Sequence, residues 1–186
     1  MNYAAIKKND IANGPGIRVS LFVSGCRHHC KNCFNREAWD FDFGKPYTAK
    51  TEEGILKALE PDYVTGLSYL GGEPFEPENR EALISLARKF RERFPQKTLW
   101  CYTGYVFEDI TGGKIENCET AETLLRETDV LVDGRFIEDK KDLSLIFRGS
   151  SNQRIIDVKK SLKEGKAVWL DGVWQRKMGS TDINES

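Results

Sequence analysis

Residues 17–33 read Ile-Arg-Val-Ser-Leu-Phe-Val-Ser-Gly-Cys-Arg-His-His-Cys-Lys-Asn-Cys, and this segment is the most informative one about the fold. Its first part, Ile17 to Val23, is a short apolar run with β-branched and aromatic residues. Gly16 and Gly25 flank that run, which is the pattern of a buried β-strand. Three cysteines follow within eight residues. The sequence therefore predicts a strand whose carboxyl end carries a loop of clustered thiols.

Strand and helix patterns alternate along the rest of the chain. We expect helices over residues 48–59, 78–94 and 121–126, and strands over residues 66–70, 97–102, 130–132 and 153–158. Such alternation is typical of right-handed βαβ crossovers, in which functional groups collect at the carboxyl ends of parallel strands. The units are too few for a closed eight-fold barrel. The predicted class is α/β, with a mostly parallel sheet and outer helices.

The chain is expected to form one domain with a short extension. Its 186 residues lie in the usual range for a single domain. We predict that the domain covers residues 1–158 and that residues 159–186 form a C-terminal extension. Within that extension, residues 167–175 match a hairpin around Asp171-Gly172, and residues 179–186 are predicted to be disordered.

The charge and hydropathy of the chain argue against two classes of binding partner, nucleic acid and membrane. Lys and Arg number 28 against 29 Asp and Glu, and the net charge of -1 gives no broad basic field for nucleic acid or anionic lipid. No apolar run approaches the roughly 20 residues that span a bilayer, and residues 1–10 lack the apolar core of a secretory signal. We therefore expect a cytoplasmic protein that binds neither nucleic acid nor membrane.

The cysteine spacing favours an iron-sulfur cluster. Cys26, Cys30 and Cys33 can hold three corners of a 4Fe-4S cubane and leave one iron without a protein ligand. A ferredoxin-like electron carrier would need a fourth cysteine, and neither Cys101 nor Cys118 has a suitable spacing. A reducing compartment would keep such thiols available as metal ligands rather than as disulfides.

A structural zinc site is the main alternative to an iron-sulfur cluster. In a Cys3His site, His28 or His29 would supply the fourth ligand. Both histidines lie between the first two cysteines, which is an awkward position from which to close a tetrahedron. The simpler interpretation makes them polar loop residues that shield a cluster or donate hydrogen bonds to its sulfurs.

Four segments of the chain resemble a known superfamily. The stretch from Asn13 through Cys33 resembles the radical S-adenosylmethionine superfamily, with its Cys-x3-Cys-x2-Cys signature after the first strand, and residues 71–74, Gly-Gly-Glu-Pro, match its second motif. Within it, residues 130–136 and 147–153 resemble the glycyl radical enzyme activases that serve anaerobic ribonucleoside-triphosphate reductase. The resemblance implies an open partial (β/α) barrel of the radical S-adenosylmethionine type over residues 1–158.

The resemblance also implies an activity. It implies an oxidoreductase whose 4Fe-4S cluster reductively cleaves S-adenosyl-L-methionine to methionine and a 5'-deoxyadenosyl radical. That radical would abstract a Cα hydrogen from a glycine in the large subunit of anaerobic ribonucleotide reductase. A low-potential electron donor such as flavodoxin would supply the electron. No side chain is implied to act as a general base, because the cluster and the bound S-adenosylmethionine perform the chemistry.

Residues at the strand ends are the implied cofactor-binding groups. Gly71 and Gly72 let the strand end approach the methionine ammonium group, Glu73 adds a charge partner, and Pro74 fixes the turn. Thr103, after the next strand, would face the cofactor with its hydroxyl.

Two further sites follow from the same resemblance. Asp133 is expected to bind the ribose hydroxyls and Arg135 the carboxylate. The superfamily usually has an aromatic residue just before the third cysteine, whereas this chain has Asn32 there, and Phe34 beyond Cys33 offers an aromatic face for adenine instead.

Other functions share these motifs. The chain could activate a different glycyl radical enzyme, or act on a small molecule as the 7-carboxy-7-deazaguanine synthase type does. A non-enzymatic zinc or iron-sulfur binding module is the third alternative. Iron and zinc contents after anaerobic reconstitution separate the module from the enzymes.

Overall fold

A mixed β-sheet runs through residues 1–172, which are the residues that the computed structural model describes. Seven strands form it: β1 (Asn2–Asp10), β2 (Ile17–Val23), β3 (Lys45–Pro46), β4 (Val64–Gly71), β5 (Thr98–Tyr102), β6 (Val130–Asp133) and β7 (Arg154–Asp157). Their order in the sheet is β3-β1-β2-β4-β5-β6-β7. The predicted α/β class is confirmed, and the sheet is open, with β3 and β7 at its edges.

Five α-helices accompany the sheet in the described part of the chain: α1 (Ala49–Ala58), α2 (Pro77–Arg93), α3 (Phe107–Thr111), α4 (Cys118–Glu127) and α5 (Val158–Glu164). Local chemistry sets their starts. The Thr48 side chain accepts a hydrogen bond from the backbone N–H of Thr51 at the start of α1, and α2 begins with Pro77, whose missing N–H costs nothing there. A search of residues 1–172 finds no helix with the length and apolar character of a membrane span.

The central strands of the sheet are parallel to one another. β2 pairs in parallel with β4, β4 with β5, and β5 with β6. Their apolar residues, together with those of α1, α2 and α4, form the main core. Because these four strands point the same way, their carboxyl ends meet at one edge of the sheet.

The prediction of a mostly parallel sheet is wrong at both edges. β1 pairs antiparallel with β2 and with β3, and β7 pairs antiparallel with β6, so three of the six pairings are antiparallel. β1 was not predicted, because its charged carboxyl half resembles an exposed segment. Residues 153–158 were predicted to be a strand, and the long connection over residues 134–153 returns the chain antiparallel to β6.

The predicted boundary after residue 158 falls at the start of α5. Val158 and Ser161 are buried, Leu162 packs against the main core, and Trp169 bridges to Ile156 of β7. Part of the predicted extension therefore packs against the domain, with Leu162 and Ala167 on the main core and Leu170 on the smaller cluster around Trp100. The second strand of the predicted hairpin, residues 173–175, and the predicted disordered tail, residues 179–186, lie outside the described residues.

Arg18 is a buried cation that spans three strands. Its Nε donates to Ser68 Oγ at 2.7 Å, and its Nη2 donates to the carbonyl oxygens of Leu67 and Thr98, each at 2.7 Å. The side chain is fully buried, and burial lowers its pKa to about 10. Gly66 lies between Arg18 and Thr98 in the paired strands, and a Cβ there would lie 2.6 Å from Arg18 Nη2.

Candidate functional site

A cavity of about 640 Å³ lies at the carboxyl ends of the parallel strands. The loop after β2, the turn after β4, the end of β5 and the connection between β6 and β7 all contribute to its wall. From the predicted site it contains Cys26, Cys30, Asn32, Cys33, Phe34, Gly71, Gly72, Glu73 and Thr103. The topology therefore gathers the three cysteines and the glycine turn around one space.

The start of the cysteine loop is hydrogen-bonded to the short 3-10 helix that follows the loop, Arg36–Trp39. The backbone N–H of Gly25 donates to Ala38 at 2.9 Å, and that of Cys26 donates to Trp39 at 3.1 Å. His29 and Asn32 adopt positive φ angles of 48° and 56°, and turn the chain tightly between the cysteines. The loop thus presents its thiols from a fixed backbone.

Burial favours the protonated form of two thiols in this loop, those of Cys26 and Cys30. Burial, reinforced by the Glu73 carboxylate, raises the pKa of Cys26 to about 12. Partial burial and the neighbouring Cys33 raise the pKa of Cys30, and the guanidinium of Arg135 opposes that rise. A metal centre must therefore displace protons when it binds here.

The thiol arrangement fits a cluster better than a single ion. Among residues 1–172, no three His, Cys, Asp or Glu side chains converge closely enough to hold one metal ion. A zinc site requires such convergence, whereas a cubane binds each thiolate at a different iron. Cys26, Cys30 and Cys33 share one cavity wall without meeting at one point. The donor set therefore suits three corners of a cluster.

Glu73 links the elements around the cavity. Its buried carboxylate accepts hydrogen bonds from the backbone N–H of Phe75 at 2.8 Å and of Gly104 at 2.7 Å, and from the Thr103 hydroxyl at 2.8 Å. His28 Nε2 lies 3.0 Å from the same carboxylate. Four partners occupy its oxygens, so the geometry gives Glu73 a positioning role, and its predicted role as a charge partner for the ammonium group stays a prediction.

The glycine turn packs directly on the cysteine loop. The N–H of Gly72 donates to Val23 at 2.7 Å, and the N–H of Glu73 donates to Gly25 at 2.8 Å. Gly71 has a φ of 109°, which favours glycine. A Cβ at Gly72 would lie 2.5 Å from the Gly25 carbonyl oxygen. The requirement for glycine therefore comes from backbone contact with the loop.

Two predicted site residues, Thr103 and Asp133, have partners other than the predicted ones, and the roles of Pro74 and Arg135 stay predictions. Pro74 follows the turn and does not line the cavity, and the Thr103 hydroxyl that was expected to face the cofactor donates to Glu73. Asp133 does not line the cavity either, because its carboxylate binds Arg154 and the N–H of Phe107. The exposed Arg135 lies close enough to Cys30 to influence the thiol's pKa. The structure therefore does not support Asp133 as a ribose ligand.

The sequence did not predict that the connection between β6 and β7 forms one wall of the cavity. The two segments that resemble the activases are hydrogen-bonded to each other: Gln153 Nε2 donates to the Gly134 carbonyl at 3.0 Å, and Asn152 Nδ2 donates to Arg135 at 2.8 Å. The connection also places Leu145, Phe147 and other side chains on the cavity. The Phe-Arg-Gly-Ser-Ser-Asn-Gln pattern marked this connection, but its spacing gave no sign that it forms a wall.

Comparisons with known proteins agree with this geometry. Residues 12–156 match the family described as "4Fe-4S single cluster domain". The chain therefore belongs to the 4Fe-4S single cluster domain family, which confirms the predicted type of cluster and leaves the zinc alternative without support.

Curated relatives refine the assignment. The anaerobic ribonucleoside-triphosphate reductase-activating protein of Enterobacteria phage T4 is 38% identical over 94% of this chain and 99% of its own length. The proteins of that name from Pasteurella multocida and Escherichia coli K12 are each 39% identical, over 83% and 82% of this chain and 96% of their own lengths. Within the family, the chain falls among the anaerobic ribonucleoside-triphosphate reductase-activating proteins.

Proposed function

We propose that this chain activates an anaerobic ribonucleoside-triphosphate reductase by generating its glycyl radical. The relatives that match nearly the whole chain are named for that activity. The observation that carries the proposal is the single cavity in which three cysteines face a Gly-Gly-Glu turn. The chain is an activating enzyme with a 4Fe-4S cluster and S-adenosylmethionine as its cofactors.

The residues of the chain hold and orient these cofactors. When bound, the reduced cluster and S-adenosylmethionine would supply one-electron cleavage of a carbon-sulfur bond and the radical that removes a hydrogen atom from a glycine Cα. Cys26, Cys30 and Cys33 would hold the cluster. Gly71 and Gly72 offer a strand end without side chains, where backbone carbonyls can accept hydrogen bonds from an ammonium group. Fixed orientation is the contribution of the protein.

The sheet supports the proposed chemistry as a partial barrel. In this proposal the four parallel strands and their helices act as an open partial barrel of the radical S-adenosylmethionine type, with residues 1–158 as the domain and the remaining residues as its extension. Because the sheet is open, a protein segment can approach the cavity from the side. A closed barrel would suit a small molecule better.

The proposed partners are the large subunit of the reductase and a low-potential electron donor such as flavodoxin. The donor would supply the electron that carbon-sulfur cleavage consumes. Each of the five cysteines is free in the structure, and Cys26, Cys30 and Cys33 must stay reduced to bind iron. A cytoplasmic location is therefore part of the proposal.

Electron paramagnetic resonance tests the function directly. The reconstituted chain is incubated anaerobically with reductant, S-adenosylmethionine and the reductase of the same organism. A carbon-centred doublet should appear in the reductase spectrum, and replacement of the reductase's radical-site glycine by alanine should abolish it. Cleavage of S-adenosylmethionine without any doublet on intact reductase would contradict the proposal and favour a small-molecule substrate.

A further inference from the structure

Two exposed apolar side chains stand at the cavity. Among residues 1–172, five large apolar side chains are exposed, and Phe34 and Leu143 are the most exposed of them, at 93% and 82%. Both line the cavity. Single exposed apolar residues are common on protein surfaces, but a pair at the opening of a functional cavity indicates contact with another molecule.

The two side chains come from opposite sides of the opening. Phe34 follows Cys33 in the loop after β2, and Leu143 lies in the connection after β6. β4 and β5 lie between those two strands in the sheet. The ends of these intervening strands contribute Gly72 and Gly104 to the cavity between the two loops. Phe34 and Leu143 therefore lie on the two loops that flank the ends of β4 and β5.

The loop that carries Leu143 is anchored on both sides of it. The N–H of Ser151 donates to the Lys140 carbonyl at 2.9 Å, and the N–H of Asp142 donates to Gly149 at 3.2 Å. Asp142 Oδ1 accepts a hydrogen bond from the Ser144 backbone N–H at 3.0 Å. Leu143 is thus presented to solvent by a hydrogen-bonded loop, which lowers the entropic cost of binding through it.

We propose that Phe34 and Leu143 form the docking rim for the reductase segment that bears the radical-site glycine, with one apolar residue of that segment packing on each side. This inference rests on the proposed function. Two side chains provide too little apolar surface for a permanent subunit interface, which usually buries more than about 1,200 Å². The rim therefore fits a transiently inserted peptide better than a second copy of this chain. The glycine passes between the two anchors toward the strand ends.

The test compares Phe34→Ala and Leu143→Ala with Tyr63→Ala. Tyr63 is 60% exposed and precedes β4, at the opposite end of the strand from the cavity, so it is a matched exposed residue. The initial rate of glycyl radical formation is measured against reductase concentration, and the dissociation constant of S-adenosylmethionine is measured by calorimetry. Each rim variant should raise the KM for reductase about tenfold, as expected for an interface anchor. S-adenosylmethionine affinity should hold in Leu143→Ala, and Tyr63→Ala should match the unaltered chain.

Three results would overturn the docking rim while leaving the proposed function intact. The first is an unchanged KM for reductase in both rim variants. The second is weaker S-adenosylmethionine binding in Phe34→Ala with normal docking, which would return Phe34 to the predicted adenine contact. The third is a dimer of the unaltered chain, seen by analytical ultracentrifugation, that both rim variants convert to monomers. If the unaltered chain itself forms no radical on the reductase, the proposed function fails and the docking rim fails with it.

Discussion

His28 Nε2 lies 3.0 Å from a carboxylate oxygen of Glu73, and this contact joins the cysteine loop to the glycine turn across 45 positions of sequence. The His28 ring also packs edge-on against Tyr105, with 4.5 Å between ring centroids. A Cβ at Gly104 would lie 2.3 Å from the same ring. The imidazole therefore packs between the turn after β4 and the segment after β5.

Replacement of His28 by alanine should loosen the cysteine loop. The variant leaves a buried carboxylate with one partner fewer, so the free energy of unfolding of the metal-free chain should fall by about 1–3 kcal/mol. Iron incorporation should fall with it. Urea unfolding and iron analysis measure the two effects, and His28→Gln, whose amide can donate to Glu73, should recover part of both.

The adjacent histidine provides the control. His29 is exposed and stacks on Trp39 at a centroid distance of 4.7 Å, with a φ of 48° that asparagine tolerates. His29→Asn should therefore retain normal stability and iron content. Equal losses in the two histidine variants would refute the role of the His28 to Glu73 contact.

Cysteine variants should divide into two groups. Replacement of Cys26, Cys30 or Cys33 by alanine should abolish the cluster, whereas Cys101→Ala and Cys118→Ala should retain about four irons per chain. Cys101 is fully buried in β5, and Cys118 is exposed at the start of α4, so neither belongs to the loop. Iron content and visible absorption report the outcome. Cluster loss in the Cys118 variant would contradict the three-ligand assignment.

A methyl group at Gly72 should disturb the cluster and S-adenosylmethionine binding together. The added Cβ would lie 2.5 Å from the Gly25 carbonyl and 2.8 Å from that of Ala38, and rigid backbone must move to admit it. We expect a loss of about 1–3 kcal/mol in unfolding free energy, as for overpacking. Because Gly72 contacts the cysteine loop directly, the cluster and cofactor binding should change together.

Gly54 is the matched control for this substitution. It lies within α1, and a Cβ there would meet nothing within 4 Å. Gly54→Ala should raise the free energy of unfolding by about 0.5–1 kcal/mol, because alanine favours the helix. If Gly72→Ala retained full iron content and full stability, the packing of the turn on the loop would be disproved.

We expect Arg154 to stabilise the fold through its ion pair with the buried carboxylate of Asp133. Arg154 Nη2 lies 2.6 Å from Asp133 Oδ2, and that carboxylate is 1% exposed. Arg154→Ala should cost about 3 kcal/mol, since it leaves a buried charge without its cation. Arg93→Ala, which breaks an exposed pair with Glu53, should cost much less, because solvent screens that pair.

Asp133→Asn tests the ribose prediction itself. The structure leads us to expect lower stability with unchanged affinity for S-adenosylmethionine. A marked loss of that affinity in a variant that unfolds normally would restore Asp133 to the cofactor site.

The sequence predicted those features that depend on local pattern. β2 begins and ends where its apolar run does, and the Cys26 to Cys33 loop and the Gly71 turn both reach the cavity. Orientation was not predictable. Asp133 stands at the expected strand end, yet it binds Arg154, because β7 returns antiparallel and brings that arginine beside it. Contacts of this kind depend on pairing between distant segments, which no local spacing encodes.

The row formed by Arg18, Gly66 and Thr98 has a consequence for folding. Only glycine leaves room for the guanidinium to cross β4 and reach the Thr98 carbonyl. A shift of β4 by one residue would place Thr65 or Leu67 next to the Arg18 guanidinium. The positive charge would then be buried without its hydrogen-bond partners, at a cost of several kcal/mol. Sheets with a shifted β4 are thereby destabilised relative to the native register. Arg18 therefore favours the native pairing of β2, β4 and β5 over pairings with a shifted register.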